Sequence, residues 1–225
     1  MTHEPESHHL GNVASPDTRS DTDTELANPT EFTDLTDLAV VLRAVGNLVA
    51  DVPESQWHAP TPCPEWDVRA LVNHLVLGSH LFTAVLRDET RAAPDALDPT
   101  VRDILGDRPA AAYRNAAENL LSAFAQPGVR ARVFHLPAGV VPGIAAVHLR
   151  TVEELVHGWD LARATGRHLR FPDDVVRREL AFTRDRLVDV APGRTPFAPP
   201  QPAPADAPIL DRLAALLGRP VDPPR

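Results

Sequence analysis

The chain has 225 residues, 43% of them apolar, which suits one domain of roughly 150–250 residues with a real core. Its formal charge is −9; residues 1–31 hold seven acids and one base, or −6, which leaves −3 and no basic stripe for residues 32–225 and argues against nucleic-acid binding. All 22 basic residues are arginines and there is one cysteine, Cys63, so lysine chemistry, intramolecular disulfides and multi-cysteine zinc sites are excluded.

Residues 1–31 lack periodic apolar positions and read as a disordered acidic tail, in which His8 and His9 are a solvated pair. The start has neither a basic segment nor an apolar h-region, and no apolar run reaches the ~18–20 residues of a membrane span. The expectation is a cytoplasmic protein without a membrane partner.

A helix is predicted from residue 34, capped by Thr33 or Asp34, with Leu35, Leu38, Val41, Leu42, Val45, Leu48 and Val49 at three- and four-residue spacing. Pro53 ends it. A loop over 52–66 carries four prolines and two tryptophans. The second helix starts at the N-cap Asp67 and runs to Arg87, burying Val68, Leu71, Val72, Leu75, Phe82 and Leu86. A third is predicted over 109–124, with Pro109 in its first turn. Residues 129–143 read as a short extended segment or hairpin. The fourth helix runs from about Pro142 to Thr165, with Gly166 as its C′ residue. A fifth spans 173–190, a proline-rich connector follows, and a short helix over 209–217 packs back. The domain is therefore expected over 32–220, with 221–225 as a tail. Six helices and almost no strand signal make an all-α bundle.

The stretch 153–166, EELVHGWDLARATG, carries the chemistry. Glu153 and His157 are four apart and sit about 40° apart on one helix face, one turn above the other. That spacing presents two ligands to one ion, and it also suits a plain polar pair. Val152, Leu155, Val156 and Trp159 make the surroundings apolar, where an unpartnered carboxylate is costly. Glu154 is a competing carboxylate at i,i+3 from His157. A third ligand must come from elsewhere. His74 flanks the apolar stripe of the second helix, whereas His80 is about 240° further round. His148 is about 180° from His157 on their shared helix. His58, His135 and His168 fall in loops. His74, Glu153 and His157 thus form a two-histidine, one-carboxylate set, the donor pattern of a catalytic zinc with an open position, and equally suited to nickel, iron or cobalt. Asp160 could orient His157 or a bound water, or pair with Arg150 or Arg163. Cys63, between two prolines, reads first as a small structural residue, and Cys63 or Asp160 would close the fourth position of a non-catalytic site. Trp66 and Trp159 are core residues or pocket walls. In a reading without metal, Glu153 simply bonds the two histidines.

Three blocks, PTPCPEWDVRALVNHL at 60–75, ELVHGWDLARATG at 154–166 and FAPPQPAPADAPILDRLAALLGRP at 197–220, resemble the metal-binding domain of mycothiol-dependent maleylpyruvate isomerase, in an uncharacterised actinobacterial branch. The resemblance implies a DinB-like helical bundle: four core helices, an additional helix and a short C-terminal helix. The family's metal ligands map onto His74, Glu153 and His157. The implied chemistry is transfer or isomerisation through a low-molecular-weight thiol, mycothiol, with a divalent ion, zinc or nickel, activating the sulfur toward an electrophilic substrate. The family's isomerase has a separate C-terminal domain where a short helix stands here, which points away from maleylpyruvate itself. Arg150 and Arg163, on the ligand helix, are the candidates for a substrate-binding arginine. Superfamily members often dimerise, so a homodimer is one expectation. A non-catalytic metal sensor or interaction protein is the alternative reading.

Overall fold

The computed structural model describes residues 35–90, 96–137, 139–187 and 197–221. The expected acidic tail, the caps at Thr33 and Asp34, the end of the fifth helix and the last four residues lie outside them. Four helices form the core: α1 (Leu35–Ala50), α2 (Val68–Leu86), α3 (Pro109–Phe124) and α4 (Gly143–Thr165). α1 and α2 each pack against both α3 and α4. α5 (Asp173–Leu187) and α6 (Ile209–Leu216) pack on each other and on α4. The all-α expectation holds, and the short extended segment or hairpin expected within 129–143 is an antiparallel hairpin of β1 (Val133–Leu136) and β2 (Gly139–Pro142) before α4. It places His135 on a strand rather than in a loop.

The helix ends follow local chemistry. Asp67 is the N-cap of α2, its carboxylate accepting from the Ala70 N–H at 2.8 Å. Gly166 ends α4 at φ 65°, and the Arg167 N–H reaches back to the Ala162 carbonyl. Every apolar residue assigned to the inner face of α2 is buried. By length and composition α2 could cross a membrane, but it is mostly buried within the bundle and serves as its core helix.

Not all of the core is apolar. Arg150 is 1% exposed and Glu154 fully buried. The Arg150 guanidinium donates to the Glu154 carboxylate, and the Tyr113 hydroxyl donates to the same group. Burial raises the Glu154 carboxyl despite both donors, and burial followed by the Glu154 charge raises the Tyr113 phenol well above its usual value. A Cβ at Gly78 would lie 2.4 Å from an Arg150 nitrogen, so any larger residue there would push the guanidinium from its place. On α4 itself, His148 and Glu179 of α5 form a second buried pair, with the His148 ring stacked on Phe182.

Removing one member of a buried ion pair strands the other in a low-dielectric interior. Arg150→Met is therefore expected to lower unfolding stability by about 3–5 kcal/mol in urea titrations. A loss under about 1 kcal/mol would show that Glu154 is neutral without its partner.

Candidate metal centre

His74 sits at the middle of α2, and Glu153 and His157 one turn apart on α4. The packing of α2 on α4 brings one ligand atom from each residue within 4.8 Å of the others. Both imidazole Nε2 atoms lie 3.3 Å from the same oxygen, Glu153 Oε2. The two rings meet edge to face, with centroids 5.0 Å apart. Trp66 forms a wall over them, 4.5 Å from the His74 ring and 5.8 Å from His157. The histidines are buried, while the Glu153 side chain is 23% exposed, so the cluster meets solvent on the carboxylate side.

Each ring is fixed from behind. His74 Nδ1 lies 2.8 Å from the Leu97 carbonyl, which can only accept, so Nδ1 carries the proton. The neighbour of His74 builds that loop: Asn73 donates to the carbonyls of Arg102 and Pro99 and accepts from the Ile104 N–H. His157 Nδ1 donates to Asp160 Oδ2 at 3.0 Å. Asp160 is fully buried and is gripped in turn by Arg219, whose Nη2 lies 2.8 Å from Oδ2 and whose Nε lies 3.3 Å from Oδ1. Arg219 also lies 2.9 Å from the Cys63 sulfur, and that thiol is 3.5 Å from Asp160. Arg219 follows Gly218, which is at φ 85° and so close to Ala198 that a Cβ would come within 2.6 Å. Only glycine there lets the chain turn off α6 into the centre.

With both Nδ1–H groups committed, a neutral ring has only an Nε2 lone pair to aim at Glu153. Two lone pairs facing one carboxylate oxygen form a donor set that requires a cation. A divalent ion fits it: borderline imidazole nitrogens plus a hard oxygen, with the far ring nitrogens hydrogen-bonded, as metal-binding histidines are held. Without an ion, a proton fills the role. Burial opposes charge on His157, but its bonds to Asp160, Cys63 and Glu153 outweigh that and raise it well above 6.5. Burial opposes charge on Glu153 too, and hydrogen bonds from His157 and His74 hold it well below 4.5. Burial works against Asp160 as well, yet His157 and Arg219 lower it.

Glu154, the competing carboxylate, turns into the core to Arg150 and Tyr113. Arg150 lies with it, its guanidinium also reaching the Leu75 carbonyl and Ser79 and lying over the Phe82 ring, so it faces core groups. Arg163 stands on another face of α4, over the Trp159 ring at 4.9 Å and 3.4 Å from Asp211. His80 is exposed, and His148 is taken by Glu179. Arg219 was not singled out by spacing. The usable signal was a Gly-Arg-Pro triplet closing a short apolar helix after a long proline-rich connector.

The family model described as "Mycothiol maleylpyruvate isomerase N-terminal domain" matches residues 38–162. Two relatives from Mycobacterium tuberculosis, Uncharacterized protein MT0763 of strain CDC 1551 / Oshkosh and Uncharacterized protein Rv0738 of strain ATCC 25618 / H37Rv, are each 37% identical over 180 residues, covering 79% of this chain and 93% of theirs. A crystal structure of the mycothiol-dependent maleylpyruvate isomerase superposes with a TM-score of 0.53 at 15% identity, over 66% of this chain and 67% of that one. A point mutant of that enzyme gives 0.53 at 14%.

The two protonation shifts set a pH window. The depressed Glu153 contributes stability above 4.5 that is lost as pH falls through its folded value. The raised His157 contributes stability that is complete below 6.5 and lost as pH rises through its folded value. Their joint contribution in the ion-free protein is greatest between those limits. An ion must displace the His157 proton, so the rise in melting temperature on adding zinc to chelator-treated protein is expected to be larger at about pH 8 than at about pH 5.5. An equal or smaller rise at the higher pH would show that zinc acts elsewhere. By its sequence over residues 38–162 and its near-full-length relatives, this chain belongs to the mycothiol maleylpyruvate isomerase N-terminal domain family.

Proposed function

We propose that the chain binds one divalent ion, with zinc suiting the donor set best and nickel an alternative, through His74, Glu153 and His157. We further propose that it uses a low-molecular-weight thiol, mycothiol, for transfer to or isomerisation of an electrophilic small molecule in the cytoplasm. The observation that carries this reading is the convergence of two Nε2 atoms and one carboxylate oxygen within 4.8 Å, with both Nδ1 atoms already bonded. Family membership supports the thiol.

The ion would supply Lewis acidity that keeps a bound thiol ionised near neutral pH, where a free thiol of pKa about 8.5 is mostly protonated. The protein's own residues do the rest. Leu97 and Asp160 hold the rings so that Nε2 faces inward. Trp66 shields the histidines, and the half-open Glu153 side leaves the approach for small molecules. Arg219 balances Asp160, so that the carboxylate orients His157 without leaving an uncompensated buried charge.

A non-catalytic reading needs a protein group to close the remaining position. Asp160 and Cys63 are the candidates; they contact each other at 3.5 Å, Arg219 bonds both, and Asp160 takes the Nδ1 edge of His157 rather than Nε2. That placement favours the open site.

Elemental mass spectrometry of untagged protein beside His157→Ala is the test, followed by calorimetric titration with mycothiol. About one ion per wild-type chain, little in the variant, and thiol binding only when the ion is present are expected. Sub-stoichiometric metal in both proteins would overturn the ligand assignment. Metal without thiol binding would favour the non-catalytic reading.

A further inference from the structure

A second concavity lies on a different side of α4 from the histidines. It is a cleft of about 760 Å³ between the C-terminal end of α4, the 166–172 turn, α5 and the start of α6. At 100° per residue, Trp159, Ala162, Arg163 and Gly166 centre roughly 140° around the helix from Glu153, His157 and Asp160. The cleft is thus separated from the metal centre by the body of the helix.

The walls are apolar and the rim is cationic. Trp159 is 5% exposed and Phe171 is 9% exposed, and Val176, Ile209 and Leu210 extend the apolar surface. The Trp159 indole is locked in place: its N–H donates to Asp211 at 2.7 Å, and Arg163 lies over its ring. Asp211 is thereby committed to Trp159 and Arg163. Asp173 is the other acid at the rim, and it sits in the first turn of α5, where the helix dipole favours it. Arg167 and Arg170 are the remaining charged groups. Both are exposed, and neither makes an ion pair among the described residues.

A rigid aromatic wall, an apolar floor and two exposed guanidiniums at the mouth, without an ion pair among the described residues, match one ligand chemistry. From this arrangement we infer that the cleft binds an amphipathic organic carboxylate, its apolar tail against Trp159, Phe171 and Ile209 and its carboxylate on Arg167 and Arg170. The volume falls within the about 300–1,000 Å³ of small-molecule sites, and guanidinium–carboxylate pairing is the charge-assisted contact such a rim provides. The inference does not rest on metal or thiol binding.

Octanoate is the probe, titrated calorimetrically into the full chain, with octanamide as its uncharged counterpart. Saturable one-site binding of octanoate is expected, at least tenfold tighter than octanamide. The double charge reversal Arg167→Glu/Arg170→Glu is expected to weaken it at least tenfold while leaving the circular dichroism spectrum unchanged, since both side chains are exposed and neither makes an ion pair among the described residues. Ile209→Asp, aimed at the floor, is expected to weaken octanoate and octanamide alike. His157→Ala, which removes a metal ligand, is expected to leave octanoate affinity within twofold. Octanoate binding that is absent, equal to octanamide, or indifferent to both the charge reversal and Ile209→Asp would overturn the inference. A loss in His157→Ala alone would place the ligand at the metal centre and overturn it equally.

Discussion

One buried carboxylate organises the candidate metal centre. Asp160 is fully buried, and an isolated charge there would be costly, so the fold surrounds it with donors. His157 comes from the same helix three residues earlier, and Arg219 reaches in from beyond α6. Cys63 comes from the loop ahead of α2. Three stretches of chain far apart in sequence are therefore tied at a single side chain. That tie fixes the His157 ring, and the fixed ring aims Nε2 at Glu153. Without Asp160 the His157 ring loses the carboxylate that accepts from Nδ1, and Arg219 loses its buried counter-charge.

The neighbouring carboxylates Glu153 and Glu154 show how one helix separates structure from chemistry. They are adjacent in sequence and about 100° apart around α4. Glu154 is neutralised by Arg150 and Tyr113 in the core, behind the ligands. Glu153 faces the histidines with part of its side chain in solvent. The inner network stiffens α4 against α2 and α3, which keeps His74 in register with the α4 pair. The arrangement has a cost, since several titratable groups are buried within two turns, and each is stable only while its partners remain.

Most of the architecture was legible because it depends on short-range rules. The apolar spacing of α1 and α2, the Asp67 cap, Pro109 and Gly166 each act within a few residues, and each does so here. The pairing of Glu153 with His157 was legible for the same reason, since i,i+4 geometry is local. His74 needed only the face of α2. The roles of Arg150 and Arg219 were not legible. Helical spacing put Arg150 on the same helix but could not say that its guanidinium turns inward to Glu154, against Gly78. Arg219 is 59 residues beyond Asp160, and its approach depends on a left-handed turn at Gly218 and on the packing of α6. The Leu97 carbonyl that fixes His74 is a backbone group, invisible to any pattern of residue types.

In the proposed site three protein atoms hold an ion and leave a position for sulfur. Replacing the ion with cobalt(II) in the full chain and recording the electronic spectrum tests it most directly. Intense visible bands of a low-coordinate cobalt ion are expected, with a sulfur-to-cobalt charge-transfer band that grows with added thiol and saturates. The same charge-transfer band before any thiol is added would mean that Cys63 occupies the position. Weak octahedral bands unmoved by thiol would contradict the open three-ligand site altogether.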